Sequence, residues 1–461
     1  MQFELNKELL SDLRKWISDG KDSAIHEFTR ELHPADVAEI INALPGNEGV
    51  YLYRILDEER AAEVMLELDE DIQDNLLASL TSREIAEELI ENIDSDDAAD
   101  VLSGLSEEKQ EEVIALLEDT DQANDIIDLL TYEEGTAGAL MAVELVKVNV
   151  SWTVAHAVRE MRKQAEHIEN IYTIYVVDDQ DSILGTLSMK SLIFASASMR
   201  TTVKELYKKA KVESVTDNTS AEEVVRIMKK YDLVVIPVIN SQGELCGRIT
   251  IDDVMDIMQE EADRDYQLAS GISEDVESSD SIWTLTRARL PWLLIGMIGG
   301  MNSAYIIGVF DITQNPAMAI FMPLIAATGG NVGVQSAALV VKALANQSAL
   351  DETVWQKLVK EFGVGLLNAT VCSILIFIAS QLFHFELMLS LTASIALFSV
   401  IIFASLSGTF IPLMLNKINI DPAVATGPFI TTTNDILGLI IYFSVGHYLL
   451  NHFAYLPHSL F

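Results

Sequence analysis

Residues 427–450 read GPFITTTNDILGLIIYFSVGHYLL. This stretch is long and apolar enough to cross about 30 Å of hydrocarbon as a helix, yet it contains an acid, Asp435. A charged acid near the middle of a spanning helix costs about 2.5–3.5 kcal/mol on insertion scales. Either Asp435 joins neighbouring helices through a polar contact, or it lies beside the path of a cation. Basic residues occur only at the ends of the apolar segments, which favours the cation path.

The charge of the chain is divided unevenly along its 461 residues. The formal net charge is −40, although 49% of the residues are apolar. Only four of the 30 basic residues and seven of the 70 acidic residues follow Leu290, so an acidic soluble half precedes an apolar half. An acidic surface repels nucleic-acid phosphates and concentrates cations, and no nucleic-acid partner is expected. Two cysteines without metal-ligand spacing, and an N-terminus without a secretory apolar core, predict a cytoplasmic location for this half.

Five apolar segments follow Arg289, and each is long enough to span a bilayer. When the segments alternate in direction, every Lys and Arg of this half falls on one side of the membrane. The positive-inside rule then predicts a multi-pass protein of the cell membrane, with its N-terminus cytoplasmic and its C-terminus outside. The predicted spans lie near residues 291–310, 316–345, 363–383, 388–415 and 425–449.

Two of these segments carry polar motifs. In the fifth, Asp435 lies about 10 Å from the cytoplasmic end, and helical spacing predicts that Thr431 and Thr432 share its polar face. The second contains TGGNVGVQ (328–335), whose three glycines weaken a helix and allow close backbone contact. Two interpretations of this motif remain open: pore lining that includes Asn331, or close helix packing.

An internal duplication occupies residues 132–258. IYVVDDQDSILGTLSMKSLI (174–193) aligns with IPVINSQGELCGRITIDDVM (236–255) at an offset of 62 residues. Each copy follows a helical stretch and reads as a strand, a turn, a second strand and a helix. This pattern resembles a tandem pair of CBS domains, with copies at 132–197 and 198–258.

The second copy carries a pattern with which many CBS domains hold an adenosine ribose. Its residues are Thr250 and Asp253, in Thr-x-x-Asp spacing, whereas the first copy has Ser188 and Ser191 and lacks the acid. By resemblance, an adenine nucleotide such as ATP is an expected ligand at Thr250 and Asp253. A pair of domains without nucleotide remains the alternative.

Helical patterns flank the duplication. Residues 1–131 alternate short amphipathic helices with acidic turns and predict an all-α superhelical domain. Residues 252–269, DDVMDIMQEEADRDYQLA, predict a helix whose neighbouring faces carry seven acids. Like charges at this spacing destabilise a helix, so the face is either solvated or a sensor for a divalent cation. This acidic connecting helix and its linker, 259–286, lead into the five-helix transmembrane domain, 287–461.

The order of these parts resembles the MgtE family of magnesium channels over nearly the whole chain. The motifs that carry the resemblance are LHPAD (32–36), YEEGTAGALM (132–141), TIDDVMDIMQEEA (250–262), TGGNVGVQSA (328–337) and DPAVATGPFITTTNDILGL (421–439).

The resemblance implies a homodimer in a lipid bilayer, with a pore on its two-fold axis lined by the second and fifth spans. Mg²⁺ would be both the transported ion and the regulator that closes the pore from the cytoplasm. The pore residues implied are Asp435, Asp421, Thr431, Thr432, Gly427 and Asn331. The regulatory ligands implied are Asp232, Asp253, Asp256, Glu260, Glu261, Asp265, Asp96 and Asp100.

Four other functions are weighed against this one. A transporter of Co²⁺ or Mn²⁺ keeps most of the reasoning, and competition for flux would separate it from a magnesium channel. A membrane-anchored nucleotide sensor without transport leaves Asp435 unexplained. An anion channel would need basic residues in its pore, and enzymatic activity has no support because no nucleophile–base pair or phosphate-binding loop occurs in the sequence.

Overall fold

The computed structural model describes residues 3–453 apart from 166–167, 169, 196–200, 210, 275, 277–279, 311–314 and 346–352. The chain divides into two compact units, Met1–Gln259 and Glu260–Phe461. The predicted border between the two CBS-like copies, at 197/198, lies outside the described residues, as do parts of the predicted linker.

Short amphipathic helices build the N-terminal part of the first unit. Asn6 accepts hydrogen bonds from two backbone N–H groups, and Thr81 forms a capping box with Glu84, as expected of polar residues at helix starts. One hydrophobic core, from Leu13 to Ile126, joins these helices and confirms the all-α N-terminal domain. They are α1 Lys7–Ser18, α2 Asp22–Arg30, α3 Pro34–Asn42, α4 Gly46–Tyr53, α5 Glu58–Leu66, α6 Glu70–Ser79, α7 Ser82–Glu84 with a π-helical segment Ile85–Leu89 and a 3-10 segment Ile90–Asn92, α8 Ser95–Ser103, α9 Glu107–Ile114 and α10 Thr120–Leu129.

Two small sheets of identical topology follow. In each, the first strand pairs in parallel with the second, which the intervening helix permits, and the second pairs antiparallel with the third. The elements are β1 Val146–Asn149, α11 Val154–Gln164, β2 Ile174–Val177, β3 Ile183–Leu187, α12 Met189–Ala195, α13 Val203–Leu206, β4 Val215–Thr216, α14 Ala221–Tyr231, β5 Val235–Ile239 and β6 Leu245–Thr250.

The two sheets confirm the tandem duplication in detail. A register irregularity between Val176 and Val177 of β2 recurs between Val238 and Ile239 of β5, which is 62 residues later. The predicted offset is therefore present in the backbone itself. The same separation relates the two residues of a bridge that joins the copies, Ser182↔Glu244.

A twenty-residue helix, α15 Ile251–Ser270, begins directly after β6 and continues from the first unit into the second. Val254 is buried, whereas the acids Asp252, Asp256 and Glu260 are exposed. The acidic connecting helix predicted from the sequence is thus a single continuous helix.

Five long apolar helices form the second unit, and each is long enough to cross a membrane. The second, fourth and fifth helices have bounds close to the predicted spans, whereas the first and third helices begin nine residues earlier than predicted. The helices are α16 Ile282–Val309, α17 Met322–Ala345 after a 3-10 segment Pro316–Phe321, α18 Val354–Leu382, α19 Leu387–Lys417 and α20 Pro428–Phe453 after a 3-10 segment Pro422–Ala425.

The early starts of α16 and α18 have a common cause. Ser281 accepts a hydrogen bond from the backbone N–H of Thr284, and Thr353 forms a capping box with Gln356. The Lys and Arg residues of these first turns are good helix formers, so the helix continues although the sequence is no longer apolar. As a consequence Glu361, placed between spans by the sequence, lies on α18 itself.

Small residues bring the helices of the second unit together. α19 is the most buried of the five helices. A side chain at Gly365 would come within 3.0 Å of Ser405, and one at Gly408 would collide with the backbone of Gly333. Such close backbone contacts are the usual means of packing helices in a membrane, where the apolar lipid offers no hydrophobic driving force.

Candidate functional site

Asp435 lies on α20 directly beside the backbone of α17. A Cβ atom at Gly330 would be 3.0 Å from Cγ2 of Thr431 and 3.5 Å from Oδ1 of Asp435. Asp435 is half-buried, and the adjacent Asn331 is exposed. The Thr431 hydroxyl donates to the carbonyl oxygen of Gly427 at 2.8 Å, which leaves its oxygen available as an acceptor. The Asp435 carboxylate and the Thr431 side chain of α20 therefore both lie beside Gly330 of α17.

The preceding residue, Asn434, is a buried amide that the sequence prediction missed. It is 2% exposed, and its Oδ1 accepts a hydrogen bond from Oγ of Ser407 on α19 at 2.9 Å. Its Nδ2 has no hydrogen-bond partner among the described residues and lies against Gly333 of α17, where any Cβ would collide with it. Asn434 thus joins α20 to two helices and fixes the rotation that points Asp435 towards Gly330. Its signal in the sequence is an amide beside an acid within a membrane helix.

The polar face predicted for α20 is divided between neighbouring helices. Thr431 and Asp435 lie against Gly330, whereas the methyl group of Thr432 lies where a Cβ of Gly299 on α16 would be. Gly438 faces Val400 of α19 at the distance of ordinary contact. Thr431 and Asp435, four residues apart, point within about 40° of each other, whereas Thr432 points about 100° away from Thr431 and packs against a different helix.

The end of α15 packs onto the start of α20. Gly427 has a φ of 54°, and a Cβ there would collide with the carbonyl oxygen of Ala269. Gly271, with a φ of 79°, would bring a Cβ within 2.6 Å of Pro428. Asp421 lies just before this contact, exposed, and its carboxylate accepts the backbone N–H of Ala423 at 2.8 Å.

A second group of acids lies in the first unit. One carboxylate oxygen each of Asp94, Asp96 and Glu144 lie within 4.8 Å of one another. Oδ1 of Asp96 is buried and has no hydrogen-bond partner among the described residues. Burial, and then the charges of Asp97 and Asp253, raise the pKa of Asp96 well above its ordinary value. Hard carboxylate oxygens at this spacing, one of them unpartnered, fit a hydrated Mg²⁺.

The neighbouring acids strengthen the negative potential of this group. Burial, followed by the charge of Asp253 and then other nearby acids, raises the pKa of Asp97 to about 7. Asp100 is exposed and adds to this shift in the pKa of Asp97. Burial and the charges of Asp253 and Asp252 likewise raise the pKa of Asp256. The structure therefore brings together the predicted Asp96, Asp100 and Asp253, and adds to them Asp94, Asp97 and Glu144, whereas Asp256 lies beside Asp252 and Asp253 on α15.

Two side chains organise this group. Arg248 of β6, 5% exposed, donates from Nη2 to Oδ2 of Asp94 at 3.1 Å and from Nη1 to the carbonyl oxygen of Asn170 at 3.0 Å. Ser95, at the start of α8, donates to Oε2 of Glu144 at 2.9 Å and accepts the backbone N–H of Val143. The helical domain and the second sheet are thereby joined at the acids.

The remaining predicted acids are placed elsewhere. Asp232 ends α14 in a left-handed conformation, with φ 51°, and is exposed. Glu260 and Asp265 are exposed on the second half of α15, where Glu261 is half-buried. Among the acids that the structure describes in the first unit, Asp232 is not one of those whose carboxylates or charges act on Asp96.

Thr250 and Asp253, the predicted nucleotide ligands, lie together at the start of α15. The Thr250 hydroxyl donates to Oδ2 of Asp253 at 2.7 Å, and the Thr250 backbone N–H donates to the same oxygen at 2.9 Å. Asp253 therefore caps the start of α15 while its charge acts on Asp96 and Asp97. The Asp253 carboxylate thus belongs to the predicted nucleotide pair and also acts on the acidic group.

Comparisons with known proteins agree on the family. The chain matches the family model of the MgtE divalent cation transporter over residues 322–445, that of the MgtE intracellular N domain over 32–135, and that of the CBS domain over 137–198 and 203–260.

Two relatives carry the same description. The chain is 34% identical over 452 residues to the magnesium transporter MgtE of Thermus thermophilus, which covers 97% of this chain and 99% of that one. It is 33% identical over 319 residues to the magnesium transporter MgtE of Bacillus subtilis, covering 69% and 70% of the two chains. A solved cytosolic domain of the Mg²⁺ channel MgtE in complex with ATP is 35% identical, covers 54% of this chain and 99% of its own, and has a TM-score of 0.49. The chain belongs to the MgtE family of magnesium transporters.

Proposed function

We propose that the protein is a magnesium channel through which Mg²⁺ enters the cell, and that cytoplasmic Mg²⁺ closes it. The observation that carries the proposal is the carboxylate of Asp435 held against the backbone of Gly330, beside Thr431. Mg²⁺ prefers octahedral oxygen ligands at about 2.0–2.1 Å and gives up its water reluctantly. A few oxygen donors around a hydrated ion suit transit better than a complete protein cage, because the ion must also leave.

A second copy of the chain completes this pore. Asp435 is half-buried and Asn331 is exposed in one chain, so both remain accessible to a partner. In a homodimer with its two-fold axis along α17 and α20, two copies of Asp435 face each other across the path. Two carboxylates neutralise one divalent ion and offset the cost of holding an acid within the bilayer. Thr432, Gly427 and Asp421 remain predicted pore residues near this axis.

The orientation follows from charge. The first unit and the connecting helix lie in the cytoplasm, and the C-terminus lies outside, because the Lys and Arg residues near the spans fall on the side of the first unit. The proposed functional parts of the chain are the helical domain at 1–131, the pair of CBS domains at 132–258, the connecting helix with its linker at 259–286 and the transmembrane domain at 287–461.

Closure is proposed to begin at the acids of the first unit. Asp94, Asp96 and Glu144 bind regulatory Mg²⁺, and the ion relieves repulsion with Asp97 and Asp253. Burial first, and the charges of neighbouring acids second, raise the pKa values of Asp96 and Asp97, so ionising these carboxylates without a bound cation is unfavourable. Mg²⁺ favours the closed state because it binds that arrangement more tightly than the open one.

The signal reaches the pore through α15. This helix starts at the acidic group, with Asp253 at its first turn, and its last turn lies against Gly427 at the start of α20. A movement of α15 along its axis is therefore transmitted to the cytoplasmic end of the pore helix. Glu260, Glu261, Asp265 and Asp232 are proposed as further regulatory ligands along this route.

A nucleotide is proposed as a second effector. ATP binding at Thr250 and Asp253 would redirect the Asp253 carboxylate from its cap on α15 towards a ribose hydroxyl. Because the same carboxylate acts on Asp96 and Asp97, nucleotide and regulatory Mg²⁺ are linked at one residue.

The deciding experiment is Mg²⁺ influx into proteoliposomes that contain the purified protein. Asp435→Asn keeps the shape of the side chain and removes its charge, and we expect it to abolish most of the influx. Glu386→Gln, which neutralises an acid at the start of α19, is the matched control and should conduct as the wild type does. Normal influx through Asp435→Asn would place the ion path elsewhere. Preferred passage of Co²⁺ or Mn²⁺ would change the cargo, and absence of influx in the wild type would favour a nucleotide sensor.

A further inference from the structure

The second unit contains a cavity of about 370 Å³ between α17, α18 and α19, lined by both polar and apolar side chains. Its mouth lies where α17 ends and α18 begins, because Ala343 and Lys357 line it at those helix ends. It extends to Asn368, about 20 Å along α18 from its start. Asp435 does not line this cavity, which separates it from the proposed ion path.

The inner wall of the cavity offers hydrogen-bond donors in a buried setting. Ser336 is 4% exposed and donates to Oε1 of Glu361 at 2.6 Å. Thr409 is 2% exposed, and its hydroxyl oxygen has no hydrogen-bond partner in the part of the chain that the structure describes. Buried polar groups are nearly always paired with protein, water or ligand, so an unpaired hydroxyl at a cavity wall points to something that enters the cavity.

The mouth of the cavity carries lysine side chains. Lys357 and Lys360 line it, and Lys342 lies near the same connection. Three of the four lysines that follow Leu290 are therefore gathered at one place. Two lysines and one acid, Glu361, line the cavity, so its lining carries a net charge of +1, and this excess of positive charge together with the Thr409 hydroxyl favours an anion with several oxygen acceptors.

The rim of the cavity is apolar and exposed. Leu339 of α17 is 67% exposed and Val364 of α18 is 48% exposed, and both line the opening. Both lie on helices of a length that spans the bilayer. A ligand that uses the whole site therefore combines an anionic head with an apolar chain. A phospholipid has this composition, and basic pockets between membrane helices are suited to such headgroups.

We propose that this cavity binds the phosphate of an anionic phospholipid, drawn from the leaflet on the side where α17 ends and α18 begins. Lys357 and Lys360 contact the phosphate, the Thr409 hydroxyl donates to one of its oxygens, and the first acyl carbons lie against Leu339 and Val364. The bound lipid fills the space between α17 and α18 on the side away from α20.

The test is native mass spectrometry of the full-length protein released from nanodiscs that contain equal amounts of phosphatidylglycerol and phosphatidylcholine. The probe variant is Lys357→Gln with Lys360→Gln, and the matched control is Lys417→Gln, an exposed lysine at the end of α19. Each lysine near an anionic headgroup is worth about fivefold in affinity, so the double variant should retain phosphatidylglycerol about thirtyfold less well. Thr409→Val, which keeps the side-chain shape, should lose several-fold.

The outcomes separate the lipid from other sources of phosphate. Selective retention of phosphatidylglycerol by the wild type and by Lys417→Gln, lost in the double variant and restored by Lys357→Arg with Lys360→Arg, supports the site. Equal retention of the two lipids, or an equal loss in Lys417→Gln, overturns it. Displacement of the lipid by millimolar inorganic phosphate would show a soluble anion as the true ligand. The measurement uses no Mg²⁺ flux, so it is independent of the proposed channel function.

Discussion

Substitution of Gly333 by alanine tests how the pore helix is held. A Cβ at this position would collide with Nδ2 of Asn434 and would lie 2.7 Å from Cγ2 of Ile430 and 3.1 Å from Cγ of Asn434. Asn434 is confined by its hydrogen bond to Ser407, so it cannot turn aside without breaking that bond. The new methyl group must therefore move α20 away from α17 or break the bond.

The magnitude follows from opposing terms. Overpacking of a well-packed interior costs about 1–3 kcal/mol, and loss of the hydrogen bond costs about 0.5–1.5 kcal/mol more. Alanine is favoured over glycine within a helix by about 0.8–1.0 kcal/mol. We therefore expect Gly333→Ala to lower the free energy of unfolding by about 1–3 kcal/mol. Because Asp435 follows Asn434, we also expect a large loss of Mg²⁺ influx.

The matched control is Gly300→Ala on α16, where a Cβ would meet nothing within 4 Å. This variant gains the helix preference without the collision, so its stability should equal or exceed that of the wild type. Equilibrium unfolding in mixed detergent micelles measures the stability of both variants, and proteoliposome influx measures transport. If Gly333→Ala were as stable as Gly300→Ala and conducted Mg²⁺ normally, the contact between Asn434 and Gly333 would not hold the pore helix as described.

Three further predictions concern the acids and the connecting helix. Because the pKa of Asp97 is raised to about 7, its ionisation destabilises the first unit increasingly as the pH rises from about 4 through 7. Stabilisation by Mg²⁺ in thermal unfolding should therefore grow between pH 6 and pH 8. An equal effect of Mg²⁺ at both pH values would contradict this prediction. Gly427→Ala should weaken closure of the channel by Mg²⁺, measured by patch clamp, because the new Cβ collides with α15 and the positive φ adds a backbone strain of about 1–2 kcal/mol. The control Gly243→Ala has a similar φ strain but a Cβ in open space, so it should gate normally. Arg248→Met removes the hydrogen bonds that the buried Arg248 guanidinium makes to the half-buried Asp94 and to the carbonyl oxygen of Asn170, and it should cost about 2–3 kcal/mol in chemical unfolding. Arg83→Met, at an exposed pair, should have a much smaller effect, and equal effects of the two variants would remove Arg248 as the organiser of the acids.

The candidate site was only partly predictable from the sequence. Asp435 is recognisable because an acid in an apolar segment is costly, and Asp253 because it follows Thr250 at a fixed spacing. Asp94 and Glu144 carry no local signal of this kind. They meet only because Ser95 and Arg248 bring a helix of the N-terminal domain to the second sheet.

The sequence by itself determined the order of the parts. Hydrophobic periodicity and helix caps are local properties that can be recognised in the sequence. The repeat offset of 62 residues can likewise be found by aligning the sequence with itself, and the strand register of the two sheets then shows the same offset. Five spans follow from segment length alone, because a bilayer imposes about 20 apolar residues on any helix that crosses it. The starts of α16 and α18 were missed because polar caps and charged helix formers extend a helix beyond its apolar stretch.

Only the tertiary structure decided which faces meet. The polar residues of α20 share a helix, yet Thr432 lies against α16, Asn434 against α17 and α19, and Asp435 beside Gly330. These assignments depend on where a neighbouring helix presents a glycine, and that is set by close packing of the whole bundle, not by the spacing within one segment. The raised pKa values of Asp96 and Asp97 arise in the same way, since burial and neighbouring charges exist only after distant parts of the chain have come together.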